Sequence, residues 1–64
     1  MLEYYKTILS KVGFDAPLFE KELAKAIRSL KPGDQLILRE WCYEQFKDDY
    51  LAILQDHFED VSTL

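Results

Sequence analysis

Apolar residues recur at steps of three and four along most of the chain, the spacing that lines up side chains on one face of an α-helix. A chain of 64 residues supports a single hydrophobic core. The pattern therefore predicts an all-α fold in which residues 1–64 form a single small helical domain. Four such stripes follow one another along the chain: Leu2, Tyr5, Leu9 and Val12; Phe19, Leu23, Ala26 and Leu30; Leu38, Trp41, Cys42 and Phe46; and Leu51, Leu54, Phe58 and Val61. Ile27 lies beside the second stripe, and Ile37 lies beside the third.

The first boundary between helices falls at Gly13, directly after the first stripe. A glycine there allows the left-handed backbone that closes many helices, and Phe14 would then contact Leu9. Asp15 is a good N-cap for the next helix, and with this cap Phe14 also forms a hydrophobic staple with Phe19. We therefore expect Phe14 to be a core residue whose replacement by alanine costs about 3–5 kcal/mol.

The second boundary is the turn formed by Lys31, Pro32, Gly33 and Asp34. Because Lys31 precedes a proline, its backbone is pushed away from helical angles, and the second helix should end by about Leu30. The third helix begins either after Asp34 as its cap or with Pro32 as its first residue.

The C-terminal third allows two arrangements, because no Gly or Pro interrupts the chain after Gly33. A break at Lys47, Asp48 and Asp49, with one aspartate as a new N-cap, gives a compact up-and-down bundle of four short helices. This fold is the one we predict, because it buries the last stripe within one chain. The alternative is three helices with a long C-terminal helix, whose exposed last stripe makes the chain dimerise.

Charge is distributed unevenly along the chain. The formal net charge is −4, and residues 40–64 contain seven acidic residues and one basic residue. Lys21, Lys25 and Arg28 share one face of the second helix, so pairing of this helix with the acidic end is one interpretation. The other is an acidic C-terminal face that attracts a protein partner with a basic surface. Tyrosine side chains suit protein interfaces, because they combine a large apolar ring with a polar hydroxyl. The candidate partner-binding residues are the acids and tyrosines Glu44, Asp48, Asp49, Tyr43 and Tyr50.

Few side chains in this sequence suit catalysis or cofactor binding. The only cysteine, Cys42, forms no internal disulfide, and on a continuous helix it lies about 22 Å from the only histidine, His57. Cys42 lies in the third stripe, where a thiol fills space as a small apolar group. Asp56, His57 and Asp60 place two carboxylates near an imidazole, which is only a weak metal signal. We predict no enzyme activity, no cofactor and no bound metal.

The second and third helices, with the turn between them, resemble the outline of a helix-turn-helix motif, and residues 22–24 are typical of its first helix. However, Arg28 stands where the motif has its tight-turn glycine, and Arg39 is the only basic residue of the would-be recognition helix. Phosphate contacts dominate DNA affinity, so nucleic acid is not the expected partner. The sequence does not determine a function. Our hypothesis is a small non-catalytic protein–protein interaction module, with a DNA-associated helix-turn-helix-like regulator as the alternative.

No apolar run approaches the roughly 20 residues of a membrane span, and charged residues interrupt the N-terminal segment where a signal peptide would lie. We therefore expect a cytoplasmic protein that does not bind membranes. Its expected partner is an unidentified protein with a basic surface, and self-association as a homodimer is the other option.

Overall fold

Three α-helices account for most of the chain in the computed structural model, which describes the backbone of residues 1–62 and the side chains of residues 1–58. Helix α1 spans Leu2–Lys11, helix α2 spans Ala16–Ser29 and helix α3 spans Pro32–Ser62. Every regular element among the described residues is helical, so the predicted all-α class is confirmed. Helix α3 begins at Pro32, which is one of the two predicted starts.

At both ends of α2, side chains form hydrogen bonds with backbone groups that have no partner within an isolated helix. At its N-terminus, the Asp15 carboxylate accepts a hydrogen bond from the Leu18 backbone N–H at 3.2 Å, as the predicted N-cap requires. At its C-terminus, Leu30 leaves the helix with extended backbone angles. The Gln35 side chain then donates from Nε2 to the carbonyl oxygens of Ile27 and Leu30, both at 2.8 Å. This side chain of α3 therefore satisfies carbonyls that the end of α2 leaves open.

The core lies where the three helices face one another. All four predicted stripes contribute to it, since each supplies at least one fully buried side chain. Burial of the stripes against each other stabilises short helices that would be marginal alone. The buried residues are Tyr5, Leu9, Phe19, Leu23, Ala26, Leu30, Leu38, Cys42, Leu54 and Phe58.

Helix α3 bends at Tyr50, the one residue inside it with non-helical backbone angles (φ −130°, ψ 30°). A straight helix of 31 residues would be about 46 Å long. The longest dimension of the molecule is only 30 Å, so the segment after the bend folds back toward the other helices. Its stripe residues Leu54 and Phe58 are buried within the same chain.

The prediction of four separate helices is wrong, and the alternative of three helices fits the structure. In place of the expected break at residues 47–49, the helix bends at the next residue, Tyr50, and no new helix starts at either aspartate. At the bend, Tyr50 makes two long-range contacts. Its ring stacks on Phe19 at 4.6 Å between centroids, and its hydroxyl donates to the Gly13 carbonyl oxygen at 2.5 Å. The side chain of Val61, the last position of the fourth stripe, lies outside the described residues.

The expected role of Phe14 is also wrong, because its side chain is 85% exposed. Helix α1 ends at Lys11. Its C-cap residue, Val12 (φ −102°, ψ 10°), is not left-handed, and no glycine has a positive φ. Neither the Leu9 contact nor the staple with Phe19 therefore forms. Gly13 is needed for a different reason: a Cβ atom there would lie 2.9 Å from Phe46 Cε1.

Candidate partner-binding surface

The part of α3 before the bend carries most of the predicted partner-binding residues. Glu44 and Asp48 are exposed, and Glu40 is exposed four positions before Glu44. Residues four apart on a helix lie one above the other on the same face. The three carboxylates therefore form one row along the outside of α3.

Two exposed apolar side chains lie at the N-terminal end of this row. Leu36 precedes Glu40 by four positions and is 56% exposed, and Ile37 precedes it by three and is 48% exposed. Ile37 was expected beside the inner stripe; it lies next to the buried Leu38 of that stripe, but it is itself half exposed. We define the outer face of α3 as the five residues Leu36, Ile37, Glu40, Glu44 and Asp48.

The acids of the outer face have no internal cationic partner among the described side chains. Lys25 pairs within its own helix, at 3.7 Å between its Nζ and Glu22 Oε1. Lys21 and Arg28 are exposed and form no ion pair with the described acids of α3. Pairing between the basic helix and the acidic segment therefore does not occur for Glu40, Glu44, Asp48 or Asp49.

The remaining predicted residues lie beside the outer face or away from it. Tyr43 is half-buried, and its ring centroid is 5.2 Å from Cζ of Arg39, one turn earlier. Asp49 is exposed but lies about 100° around the helix from Asp48, outside the row. Tyr50 uses its ring and its hydroxyl within the fold. The structure thus brings Glu44 and Asp48 together and does not bring Tyr50 to them.

A second polar cluster joins α2 to the segment after the bend. His57 Nε2 lies 2.9 Å from Glu20 Oε2, and the ligand atoms of Glu20, Asp56 and His57 all lie within 4.8 Å of one another. Sequence spacing identified Asp56 and His57 but missed Glu20, because Glu20 and His57 are 37 positions apart and no local pattern predicts their contact. Asp60, the third residue suggested by spacing, has a side chain outside the described residues.

Cys42 and His57 do not form a reactive pair. Cys42 is fully buried, and loss of solvation raises the pKa of its thiol from 9.0 to about 12. A thiol with such a pKa stays protonated at neutral pH and is a poor nucleophile. The imidazole of His57 is engaged with Glu20 instead. The described residues also enclose no pocket.

No helix within the described residues combines the length and the apolar character needed to cross a membrane. In comparisons with known proteins, this chain matches no protein-family model, no curated protein and no solved structure.

Proposed function

We propose that this chain is a non-catalytic protein–protein interaction module that binds a basic partner through the outer face of α3. The observation that carries the proposal is that exposed apolar side chains and acidic side chains lie together on this face. Leu36 and Ile37 are exposed apolar side chains, and the carboxylates of Glu40, Glu44 and Asp48 extend from them in a row without internal cations among the described residues.

Apolar and charged side chains have separate roles at a protein interface. Apolar side chains at the centre of a contact are shielded from water and supply most of the affinity. Charged side chains around them mainly set the association rate and the choice of partner. A fitting partner surface has an apolar spot that covers Leu36 and Ile37, with Lys or Arg side chains facing the row of acids.

A nucleic-acid partner is less well supported. In a helix-turn-helix, α3 would be the recognition helix, and its outer face carries three carboxylates. These groups repel phosphates, whose contacts supply most of the affinity of DNA-binding proteins. Retention on heparin at low salt is a direct check, since firm binding would favour the nucleic-acid alternative.

Association kinetics with a captured partner test the proposal. The chain would be immobilised, a partner captured from native lysate, and association measured between about 50 and 500 mM salt. Exposed charges are screened over about 8–10 Å near physiological salt. We therefore expect association to slow with rising salt, while dissociation changes little. At low salt, the double variant Glu44→Gln with Asp48→Asn should associate several-fold more slowly than the wild type.

A matched control separates the position of the charges from the net charge. Glu3→Gln with Glu22→Gln removes two charges from α1 and α2, where both acids have intrahelical lysine partners. This variant should associate like the wild type. The proposal fails if both double variants behave alike, or if changing Leu36 and Ile37 to serine leaves dissociation unchanged.

A further inference from the structure

Three side chains with metal-binding atoms meet where α2 contacts the segment after the bend in α3. We propose that Glu20, Asp56 and His57 bind a divalent transition-metal ion such as Zn²⁺, and that this ion fastens the folded-back segment to α2. The site is separate from the outer face of α3 and does not depend on the proposed partner.

The ligand atoms are almost at coordination distance. Zinc binds imidazole nitrogen and carboxylate oxygen at about 2.0–2.2 Å, so tetrahedral ligands lie about 3.4 Å from one another. His57 Nε2 and Glu20 Oε2 are 2.9 Å apart, and all three ligand atoms lie within 4.8 Å. Asp56 is exposed, so a rotation of its side chain can close the remaining gap of at most about 1.4 Å.

The charges around the cluster favour a cation. Glu20 and Asp56 bring two carboxylates close together, and among the described residues neither forms an ion pair with a Lys or Arg. Like charges at this separation repel each other. A divalent ion would bind Nε2 of the neutral imidazole tautomer that carries its proton on Nδ1, and it would offset both negative charges of the carboxylates.

The two helices hold the ligands from firmly packed positions. Glu20 follows Phe19, and His57 precedes Phe58; both phenylalanines are almost completely buried. Tyr50, at the bend, stacks on Phe19 and fixes the segment that carries Asp56 and His57. Little backbone ordering is left for the metal to impose, which lowers the cost of binding.

The ligand set selects the class of metal. Imidazole nitrogen suits Zn²⁺, Cu²⁺ and Ni²⁺, whereas Mg²⁺ and Ca²⁺ prefer an all-oxygen shell. With three protein ligands, a fourth position is left for water, as in sites where zinc keeps an open coordination position. The affinity order should therefore be Cu²⁺ above Zn²⁺, with Mg²⁺ far below both.

Calorimetric titration of the untagged chain with zinc chloride tests the site. We expect saturable binding of one ion per chain, with a dissociation constant below about 100 μM, reversed by EDTA. Saturating zinc should raise the melting temperature by at least about 5 °C, because the ion binds only the folded chain. Since the chain has one histidine, a zinc-dependent shift of its imidazole nitrogens in NMR spectra identifies the ligand without ambiguity.

Two variants make the test specific. Asp56→Asn changes an exposed side chain, so it should fold normally and weaken zinc binding at least about tenfold. His57→Gln should abolish binding. Asp48→Asn, an equally exposed acid on α3 outside the cluster, should bind zinc like the wild type. The proposal is overturned if zinc does not bind saturably with a dissociation constant below about 100 μM. Binding that is unchanged by Asp56→Asn, or equal binding of Mg²⁺, also overturns it.

Discussion

Phe14 and Phe19 are only five positions apart, but they lie in opposite environments. Phe19 is fully buried and contacts the rings of Phe46 and Tyr50, whereas Phe14 is 85% exposed. Phe19→Ala removes a core ring and should lower the free energy of unfolding by about 3–5 kcal/mol. Phe14→Ala should change it by less than about 0.5 kcal/mol, as at other surface positions. Urea denaturation of both variants checks this contrast, and equal losses would contradict it.

The two glycines should respond to alanine with opposite signs. At Gly13 a new Cβ would lie 2.9 Å from Phe46 Cε1, and the rings of Phe19, Trp41 and Tyr50 surround Phe46. Because that ring cannot move freely, Gly13→Ala should cost about 1–3 kcal/mol.

At Gly33, in the first turn of α3, a new Cβ meets nothing within 4 Å. Gly33→Ala should therefore stabilise the chain by about 0.4–1 kcal/mol, because alanine loses less backbone entropy on folding. Thermal unfolding of Gly13→Ala and Gly33→Ala should shift the melting temperature in opposite directions. A gain at Gly13 would mean that the connection between α1 and α2 is not in close contact with α3 there.

The Cys42 thiol should be protected from reaction in the folded chain. Burial raises its pKa from 9.0 to about 12, so the folded protein should show almost no thiolate up to about pH 10. The unfolded chain ionises near pH 9, and its labelling by a disulfide reagent should rise through that pH. At pH 8, native labelling should be at least about 100-fold slower than labelling in urea. Equal rates would contradict the burial of Cys42.

At the scale of the helices, the bend in α3 decides the fold. Sharp bends usually occur at proline, at glycine and serine pairs, or where a side chain disturbs the hydrogen-bond ladder. No proline, glycine or serine lies within ten positions of Tyr50 along the chain. What accompanies the bend is a pair of long-range contacts of Tyr50 itself, with Phe19 and Gly13, and we expect these contacts to hold it.

Tyr50→Phe tests the polar half of this anchor. It keeps the ring on Phe19 but removes the hydrogen bond to the Gly13 carbonyl, so it should cost about 0.5–1.5 kcal/mol. Tyr4→Phe is the matched control, because Tyr4 is exposed and its hydroxyl has no hydrogen bond among the described residues. Equal stability of the two variants in urea would show that the hydroxyl does not hold the bend.

At the scale of the whole molecule, the folded-back segment completes one small core. The radius of gyration is 10.5 Å, close to the roughly 10.7 Å expected for a compact chain of this length. Leu54 and Phe58 are covered by the same chain. The exposed stripe on which the dimeric alternative depends is therefore absent for these two residues.

Local patterns were sufficient for the helices and most of the core, because burial on a helix face follows from spacing alone. Leu9, Leu23 and Leu54 were all predicted in this way. The contacts of Tyr50 were not predictable, because they join residues far apart in the chain. Phe14 was misplaced because α1 closes without the left-handed turn that its two local motifs assume.

Part of the outer face of α3 and part of the metal-binding cluster could also be identified from the sequence. Counting charges was enough to point to Glu44 and Asp48. The same step of four, extended backwards, would have included Leu36 and Glu40 in the row. Ile37 was placed beside the inner stripe, and spacing alone did not show that this flanking side chain is half exposed. Glu20 required the fold, since only the bend brings His57 to it.

NMR titration of the isotope-labelled chain with the captured partner tests most directly whether the outer face of α3 is the binding surface. We predict that the backbone signals that shift most belong to Ile37, Glu40, Glu44 and Asp48, together with Leu36 next to them. Signals from the exposed positions of α1 and α2, such as Glu3 and Lys21, should stay in place. Shifts centred on α1 or α2, with the α3 signals unchanged, would contradict the proposed function.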